Sequence, residues 1–234
     1  MEKSSNEHKI KVIAHIETDF KEKFGIPRQS GVVPELLGKI VFEKEYRDIN
    51  ALRGLEEFSH IWIIWQFSEN TSNECFPTVR PPRLGGDERV GVFATRSPYR
   101  PNSLGMSCVE INSICLETNE GPIIYVNGAD LMDGTPIYDI KPYIPYTDCI
   151  PKASCSFAKS DWERKIKVDF PKELLQKIPE DKHQSLIKVL EQDPRPAYKE
   201  DSDQIYGLRF ANYNISFTIS NKILSVIAVE TESA

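Results

Sequence analysis

The sequence predicts a mainly β protein, with a β-barrel or β-sandwich over residues 1–150 and a small α+β domain over residues 151–234. Short apolar and β-branched runs recur through the first part, and turns rich in Gly and Pro separate them. The second part contains a longer helical segment and an alternating pattern typical of a hairpin. These observations argue against a Rossmann-type fold, in which strands alternate with long helices.

The first strands are predicted from runs of apolar and β-branched residues. Residues 10–16 (IKVIAHI) and 39–44 (KIVFEK) are two such runs, and polar or turn residues bound both of them. Residues 24–31, between the two runs, are punctuated by Gly and Pro and predict a loop. The run at residues 60–67 (HIWIIWQF) is too short for most helices and too apolar for a surface, so it predicts a buried strand.

Turn chemistry organises the remainder of the first 150 residues. Asp48 is a candidate N-cap and Gly54 lies where a helix end favours a left-handed residue, which predicts a short helix over residues 48–53. Residues 69–88 have no periodicity and predict a long ordered loop, a kind of loop that is usually functional. Further strands are predicted at residues 90–95, 105–117 and 122–129.

The carboxyl-terminal part has a different pattern. Residues 171–193 predict a helix in two pieces, because Pro179 interrupts the backbone hydrogen bonding of a continuous one. Residues 213–219 alternate apolar and polar side chains, and a Ser-Asn-Lys turn leads into the apolar run at residues 223–229, which predicts a hairpin. Residues 151–234 contain 13 basic and 13 acidic residues, so the whole net charge of -6 belongs to the first 150.

Composition and targeting signals exclude several classes of protein. Of the 234 residues, 40% are hydrophobic and 27% are charged, which is typical of a folded globular chain. No apolar run reaches the length of a membrane helix, and the amino end is too polar for a signal peptide, so we expect a cytoplasmic protein with no membrane partner. The five cysteines are odd in number and widely spaced, so we expect ordinary thiols and no metal site.

Positive charge is concentrated in one segment although the net charge is negative. Residues 77–106 carry five arginines and no lysine, and only Asp87 and Glu88 oppose them, which leaves a segment charge of +3. A guanidinium is a planar fork that binds phosphate or carboxylate in a bidentate manner and stacks on bases. This segment is therefore a candidate for anion or RNA binding, and the alternative is a solvated loop whose arginines pair with surface acids.

The usual catalytic signatures are absent from the sequence, and constrained loops carry the polar residues. There is no phosphate loop, no nucleophile elbow and no zinc-protease helix motif. Residues 92–105 lead from a predicted strand into a loop restrained by Pro98 and Pro101, which lowers the entropy lost when the loop holds a ligand. Residues 130–136 form a second polar turn, whose Asp and Thr side chains could instead stabilise only the turn itself.

A series of short motifs follows the chain in a fixed order. Its members are PRQ (27–29), GLE (54–56), FSHIW (58–62), RPPRLGG (80–86), GVFATRS (91–97), RPN (100–102), DGTP (133–136), DIKPY (139–143) and QDPRPAY (192–198). This series resembles the TsaA-like family, also called TrmO, of tRNA N6-threonylcarbamoyladenosine N6-methyltransferases. The last motif is similar to the carboxyl extension of the longer bacterial members, so the resemblance spans nearly the entire chain.

The resemblance implies a single-sheeted β-barrel that binds S-adenosyl-L-methionine and works as a homodimer. It also implies methylation of the modified adenosine just 3′ of the tRNA anticodon, so the expected partner is the tRNA anticodon loop. Relatives commonly carry a His after the aromatic strand, where this chain has Ser68 and Glu69. The cofactor-binding residues expected from the resemblance are Pro27, Arg28, Gln29, Ser68, Glu69, Arg96, Leu104, Asp133, Gly134, Thr135 and Pro136.

The chemistry of the reaction leaves the catalytic base open among three residues. Removal of the proton from the N6 nitrogen during attack would assist transfer, and Asp133, Asp139 or His60 could accept it. His60 could equally be a buried histidine that orients a loop by hydrogen bonding. The residues expected to contact the substrate RNA, by stacking or by charge, are Arg83, Tyr99, Arg100, Asn102, Lys141 and Tyr143.

Two other functions fit the same residues. A non-catalytic module could sense S-adenosylmethionine or bind RNA through the arginine segment, with cofactor affinity but no methyl acceptor. A methyltransferase could also act on another nucleobase or on a small molecule. Methyl transfer to tRNA with and without the threonylcarbamoyl modification separates these alternatives.

Overall fold

In the part of the chain that the structure describes, eight strands lie before residue 143, and six of them close into a barrel. The computed structural model describes residues 8–69, 75–81, 84, 88–158, 165–195 and 202–232. The eight strands are β1 (Ala14–Glu17), β2 (Leu37–Phe42), β3 (His60–Gln66), β4 (Thr78–Val79), β5 (Val90–Gly91), β6 (Leu104–Cys115), β7 (Ile123–Asn127) and β8 (Thr135–Pro142). The closed barrel has the order β1-β2-β7-β6-β3-β8 with every neighbour antiparallel, and β4 and β5 form a separate two-stranded ribbon. The expectation of a single-sheeted barrel is confirmed.

The barrel core comes from the inward faces of these strands. In β3 the side chains of Ile61, Ile63 and Trp65 are buried, and the residues between them are half-buried. This period of two is the side-chain alternation of a strand with one face on the core. The same pattern in the other strands fills the barrel with a single apolar cluster that includes Ile40 and Ile137.

The predicted short elements differ in detail from the structure. Asp48 caps a 3-10 helix at Ile49–Leu52 by accepting a hydrogen bond from the backbone N–H of Asn50 at 2.9 Å, and Gly54 follows with φ of 85°. A short helix was expected here, and its caps are those the sequence predicts. After β8 comes the one-turn helix α1 (Pro145–Asp148).

One predicted strand is wrong, and one observed strand is not predicted from the sequence. The strand expected at residues 90–95 stops at Gly91, because Thr95 donates hydrogen bonds from both its N–H and its Oγ1 to the carbonyl of Val92 and closes a 3-10 turn. The strand β8 is not predicted from the sequence, which indicates a turn at residues 133–136 and no strand after it. Its two prolines and its Asp-Ile-Lys sequence hide the apolar alternation that its pairing with β1 and β3 imposes.

The carboxyl-terminal part folds as a four-stranded sheet covered by helices. Its elements are β9 (Lys167–Asp169), α2 (Lys172–Leu175), α3 (Glu180–Glu191), β10 (Ser202–Phe210), β11 (Tyr213–Ser220) and β12 (Ile223–Thr231), with the strand order β10-β11-β12-β9. Pro179 separates the two helices, as predicted. The predicted hairpin is also confirmed, since Asn221 and Lys222 both adopt positive φ between β11 and β12, as a tight primed turn requires.

The long connection from β1 to β2, residues 18–36, packs into the core of this second sheet. Phe20 is 1% exposed and meets the ring of Phe210 edge-on, with 5.6 Å between the ring centroids. Val33 and Leu36 are buried in the same cluster. The connection leaves the barrel and returns to it, so the barrel and the second sheet share one segment of chain.

We expect Phe210→Ala to destabilise the protein by about 3–5 kcal/mol, because it removes a fully buried ring from between the sheet and the connection. Urea unfolding measures the free energy. Ile227→Ala is the matched control on the same sheet, since Ile227 is 47% exposed, and its cost should be below about 1 kcal/mol. Equal costs for the two variants would contradict the shared core.

Candidate functional site

One end of the barrel is covered by three connections. β1 and β2, β3 and β6, and β7 and β8 are each joined at this end, because neighbouring strands of the barrel are antiparallel. The connections are residues 18–36, 67–103 and 128–134. Between them and the strand ends lies a cavity of about 900 Å³, within the size range of small-molecule sites.

An aromatic wall forms one side of this cavity. The indole of Trp65 lies against the backbone of Gly105, its register partner on β6, and a Cβ added at Gly105 would lie 2.4 Å from the ring. Phe67 packs on Trp65 with 4.4 Å between ring centroids. Leu104 and Leu131 add to the apolar lining, so this wall can cover the flat faces and apolar atoms of a ligand.

Cationic side chains form the rim. Arg96 donates a hydrogen bond to Oε1 of Gln29, which ties the β3–β6 connection to the β1–β2 connection. Arg28 reaches the backbone carbonyl of Arg195 in the second domain at 3.5 Å. Arg100 donates to the carbonyl of Thr95 at 3.3 Å. These contacts hold three guanidinium groups at the mouth of one cavity, where they can bind carboxylate or phosphate.

A partly buried carboxyl group, Asp130, lies in the same cavity. Its Oδ1 accepts a hydrogen bond of 2.6 Å from the hydroxyl of Ser107, and Ser107 accepts one of 3.0 Å from Nε1 of Trp65. Burial raises the pKa of Asp130 above its ordinary value, against the opposing effects of the Ser107 hydrogen bond and the positive charge of Arg96. Asp130 is not among the site residues predicted from the sequence, although Asp130 begins the polar turn at residues 130–136.

The structure brings most of the expected cofactor residues together. Those that line the cavity are Pro27, Arg28, Gln29, Ser68, Glu69, Arg96, Leu104 and Thr135. They come from five separate stretches of sequence, and the barrel places them at one end. Their assignment to a cofactor stays a prediction, which this grouping supports.

Three of the expected cofactor residues, Asp133, Gly134 and Pro136, do not line the cavity. Asp133 accepts a hydrogen bond from the backbone N–H of Thr18 at 3.0 Å and forms an ion pair of 2.7 Å with Lys21. Gly134 has φ of 75° in the turn that follows, and Pro136 pairs with β1. These residues therefore fix the β7–β8 turn against the start of the β1–β2 connection.

The residues expected to act as bases or to bind RNA divide between the two ends of the barrel. Tyr99 and Arg100 line the cavity, and Asn102 is exposed beside it. Arg83 lies outside the described residues. His60 begins β3, whose far end reaches the cavity, and six residues of strand make this separation about 20 Å.

The remaining expected residues, Asp139, Lys141 and Tyr143, do not line this cavity either. Tyr143 packs against Trp62, with 5.9 Å between ring centroids. Asp139 forms an exposed ion pair of 2.8 Å with Lys141 and borders a second cavity of about 590 Å³ near Leu52 and Phe58. The sequence does not show which end a residue occupies, because that depends on the direction and register of each strand.

Two kinds of feature are absent from the residues that the structure describes. No group of three or more His, Cys, Asp or Glu side chains in this part of the chain is arranged to hold a metal ion. No helix in the same residues is long and apolar enough to cross a membrane.

A closed antiparallel barrel with a ligand-sized cavity, an aromatic wall and an arginine rim defines a small-molecule-binding β-barrel. Comparison with known families makes this class more specific. Residues 15–149 match the tRNA-methyltransferase O N-terminal domain, and residues 163–232 match the TrmO C-terminal domain. The chain belongs to the TrmO family, which confirms the resemblance inferred from the motifs.

Relatives match over nearly the full chain. The tRNA (adenine(37)-N6)-methyltransferase of Escherichia coli (strain K12) is 39% identical over 226 residues, covering 93% of this chain and 96% of the relative. RcsF of Pseudomonas aeruginosa, named a putative S-adenosylmethionine-dependent methyltransferase, is 36% identical over 216 residues, covering 89% and 91%. A crystal structure of TrmO from P. aeruginosa matches with a TM-score of 0.78 and 29% identity, covering 98% of this chain and all (100%) of that one.

The contact between Gly105 and Trp65 predicts that Gly105→Ala lowers Tm by several degrees. The added methyl group must displace the indole, and overpacking of this kind costs about 1–3 kcal/mol. Gly91→Ala is the control, because a Cβ at Gly91 meets nothing within 4 Å and its φ of -58° suits any residue. Calorimetric melting compares the two variants, and an unchanged Tm for Gly105→Ala would refute the packing described for this wall.

Proposed function

We propose that this protein transfers a methyl group from S-adenosyl-L-methionine to N6 of adenosine 37 in tRNA, and that the acceptor is the threonylcarbamoyl form of that adenosine. The observation that carries the proposal is the cavity at the barrel end, where an aromatic wall and an arginine rim occur together in a chain of the TrmO family. The cofactor has a flat purine, a methionyl chain that carries the sulfonium, and a carboxylate, and apolar and guanidinium groups of the cavity match the purine, the methylene groups and the carboxylate.

The residues present fit the cofactor group by group. Trp65, Phe67 and Leu104 offer an apolar surface for the purine and the methylene chain. Arg28 and Arg96 offer guanidinium forks for the methionyl carboxylate. When bound, the cofactor supplies an electrophilic methyl group on a sulfonium. The chain's task is to hold this group in line with the acceptor nitrogen, and such alignment is worth on the order of 7–11 kcal/mol.

The surroundings of the cavity suit a single-stranded RNA loop. Tyr99 is 43% exposed and meets Phe76, itself 42% exposed, edge-on at 5.8 Å. Arg100 and Arg96 lie beside this aromatic pair along the rim. Unpaired bases stack on exposed aromatic rings and guanidinium planes, whereas phosphates pair with the charge, so this combination favours an anticodon loop over duplex RNA.

We also propose two units, residues 1–150 and 151–234, in a cytoplasmic homodimer. Two separate buried clusters support the division, although residues of the β1–β2 connection contribute to the second cluster. The homodimer rests on the family resemblance, and the location follows from the proposed tRNA substrate. Sedimentation tests the dimer, for which the expected mass is twice the chain mass of 26.7 kDa.

The function is tested with methyl-labelled cofactor and two preparations of bulk tRNA, one carrying threonylcarbamoyladenosine and one lacking it. We expect label only in the modified tRNA, as the N6-methyl nucleoside identified by mass analysis. Cofactor binding without transfer would instead establish a sensing or RNA-binding module, and label in unmodified tRNA would establish a different acceptor.

Arg96→Ala should lower methyl transfer at least about tenfold, because it removes a cavity cation and its hydrogen bond to Gln29. Arg89→Ala is the matched control, since Arg89 bonds to Thr78 and does not line the cavity. Single-turnover transfer measures both variants, and circular dichroism confirms that they are folded. Full activity of folded Arg96→Ala would remove Arg96 from the site.

A further inference from the structure

None of the residues expected to act as the base is placed to accept the N6 proton in the cavity. His60 lies at the end of β3 away from the cavity, and Asp139 borders the second cavity. Both carboxylate oxygens of Asp133 are engaged by Thr18 and Lys21. A base must reach the reacting nitrogen directly or through one water. None of the three lines the cavity that holds the arginines.

Two carboxyl groups do line that cavity among the residues that the structure describes, and they differ in environment. Glu69 is exposed at the edge of the cavity, whereas Asp130 is partly buried beside Trp65 and Leu131. The Asp130 carboxyl is held by a chain of hydrogen bonds from Trp65 on β3 through Ser107 on β6. Ser107 is 1% exposed, so this polar chain is enclosed by the fold and orients the carboxyl group.

The acceptor nitrogen needs such a group. Acylation of the adenine amino group delocalises the nitrogen lone pair and makes the remaining N–H more acidic. A neutral nitrogen that gains a methyl group must lose this proton, and loss during attack restores electron density to the nucleophile. General-base assistance of this kind contributes typically about 10²–10⁴ in rate.

We propose that Asp130 accepts the N6 proton of the target adenosine during methyl transfer, an inference that rests on the function proposed above. A carboxylate oxygen of Asp130 forms a bond to the proton as the N6 electron pair forms the bond to the methyl carbon. The carbon–sulfur bond breaks, and its electron pair stays on sulfur, which becomes a neutral thioether. Charge balances, because one carboxylate and one sulfonium become a carboxylic acid and a thioether.

Opposing effects of the surroundings act on the pKa of Asp130. Burial raises its pKa, the hydrogen bonds from Ser107 and from the backbone of Ser30 lower it, and Arg96 is the charged side chain whose field lowers it. A base with a raised pKa binds the transferred proton more strongly. Transfer should therefore fall as pH drops through the folded pKa of Asp130, above the ordinary range of an aspartate.

Asp130→Asn is the first test, because an amide keeps the shape and can accept the Ser107 hydrogen bond but cannot take up the proton. We expect kcat to fall at least about 100-fold while calorimetry shows unchanged affinity for S-adenosylhomocysteine. Glu110→Gln removes one negative charge from the exposed face of β6 and is the control with normal kcat. A loss of affinity with unchanged kcat would show that Asp130 holds the cofactor, and would overturn the proposal.

Ser107→Ala supplies a readout that a structural role would not move. Its hydroxyl stabilises the charged form of Asp130, so its removal should shift the acidic limb of the pH–kcat profile to higher pH, with turnover retained above it. In Asp130→Asn this limb should be absent. An unmoved limb in Ser107→Ala, or a normal profile in Asp130→Asn, would overturn the proposal.

Thermal unfolding of Asp130→Asn separates this inference from the function on which it rests. Ionisation of a carboxyl with a raised pKa costs stability, so the wild type should lose Tm relative to the variant as pH rises through that pKa. No transfer by the wild type would overturn the proposed function and this inference together. Normal transfer by the variant would overturn this inference alone.

Discussion

The packing of the β1–β2 connection between two cores is the constraint on which the site depends. Phe20 is locked against Phe210, and Gly25, with φ of 88°, lies so close to Leu208 that an added Cβ would be 2.1 Å from it. An ion pair of 2.6 Å between Asp19 and Lys182 adds a polar contact at the start of the same segment. Residues 27–29 are therefore positioned by the carboxyl-terminal sheet and its helices as well as by the barrel.

Closure of the barrel is the second constraint that positions the site. A closed sheet has no edges, so its register is determined around the whole ring, and every second connection emerges at the same end. Arg96 and Gln29 are 67 residues apart in sequence and are hydrogen bonded because of this geometry. Rigid strands thus carry the polar groups on connections that are cross-linked to one another, which reduces the ordering cost when a ligand binds.

Sequence reasoning was most successful where local chemistry decides the outcome. The capped turn at Asp48, the hairpin at Asn221 and the break at Pro179 all follow from single residues with strong backbone preferences. Arg96 was found in a constrained polar loop and the motif at 27–29 through the family resemblance, and the structure shows that they share a cavity. Asp130 was missed because only its pairing with Ser107, 23 residues away, distinguishes it from an ordinary turn aspartate.

Amide hydrogen exchange with and without S-adenosylhomocysteine tests directly whether the cofactor binds in the cavity at the barrel end. Exchange reports the protection of backbone amides along the whole chain, without any assumption about turnover. We expect slower exchange at residues 26–31, 65–69 and 95–106 on addition of the ligand, because these residues line or flank the cavity. Slowing confined to the second cavity, around Leu52–Phe58, or no slowing anywhere, would contradict this expectation.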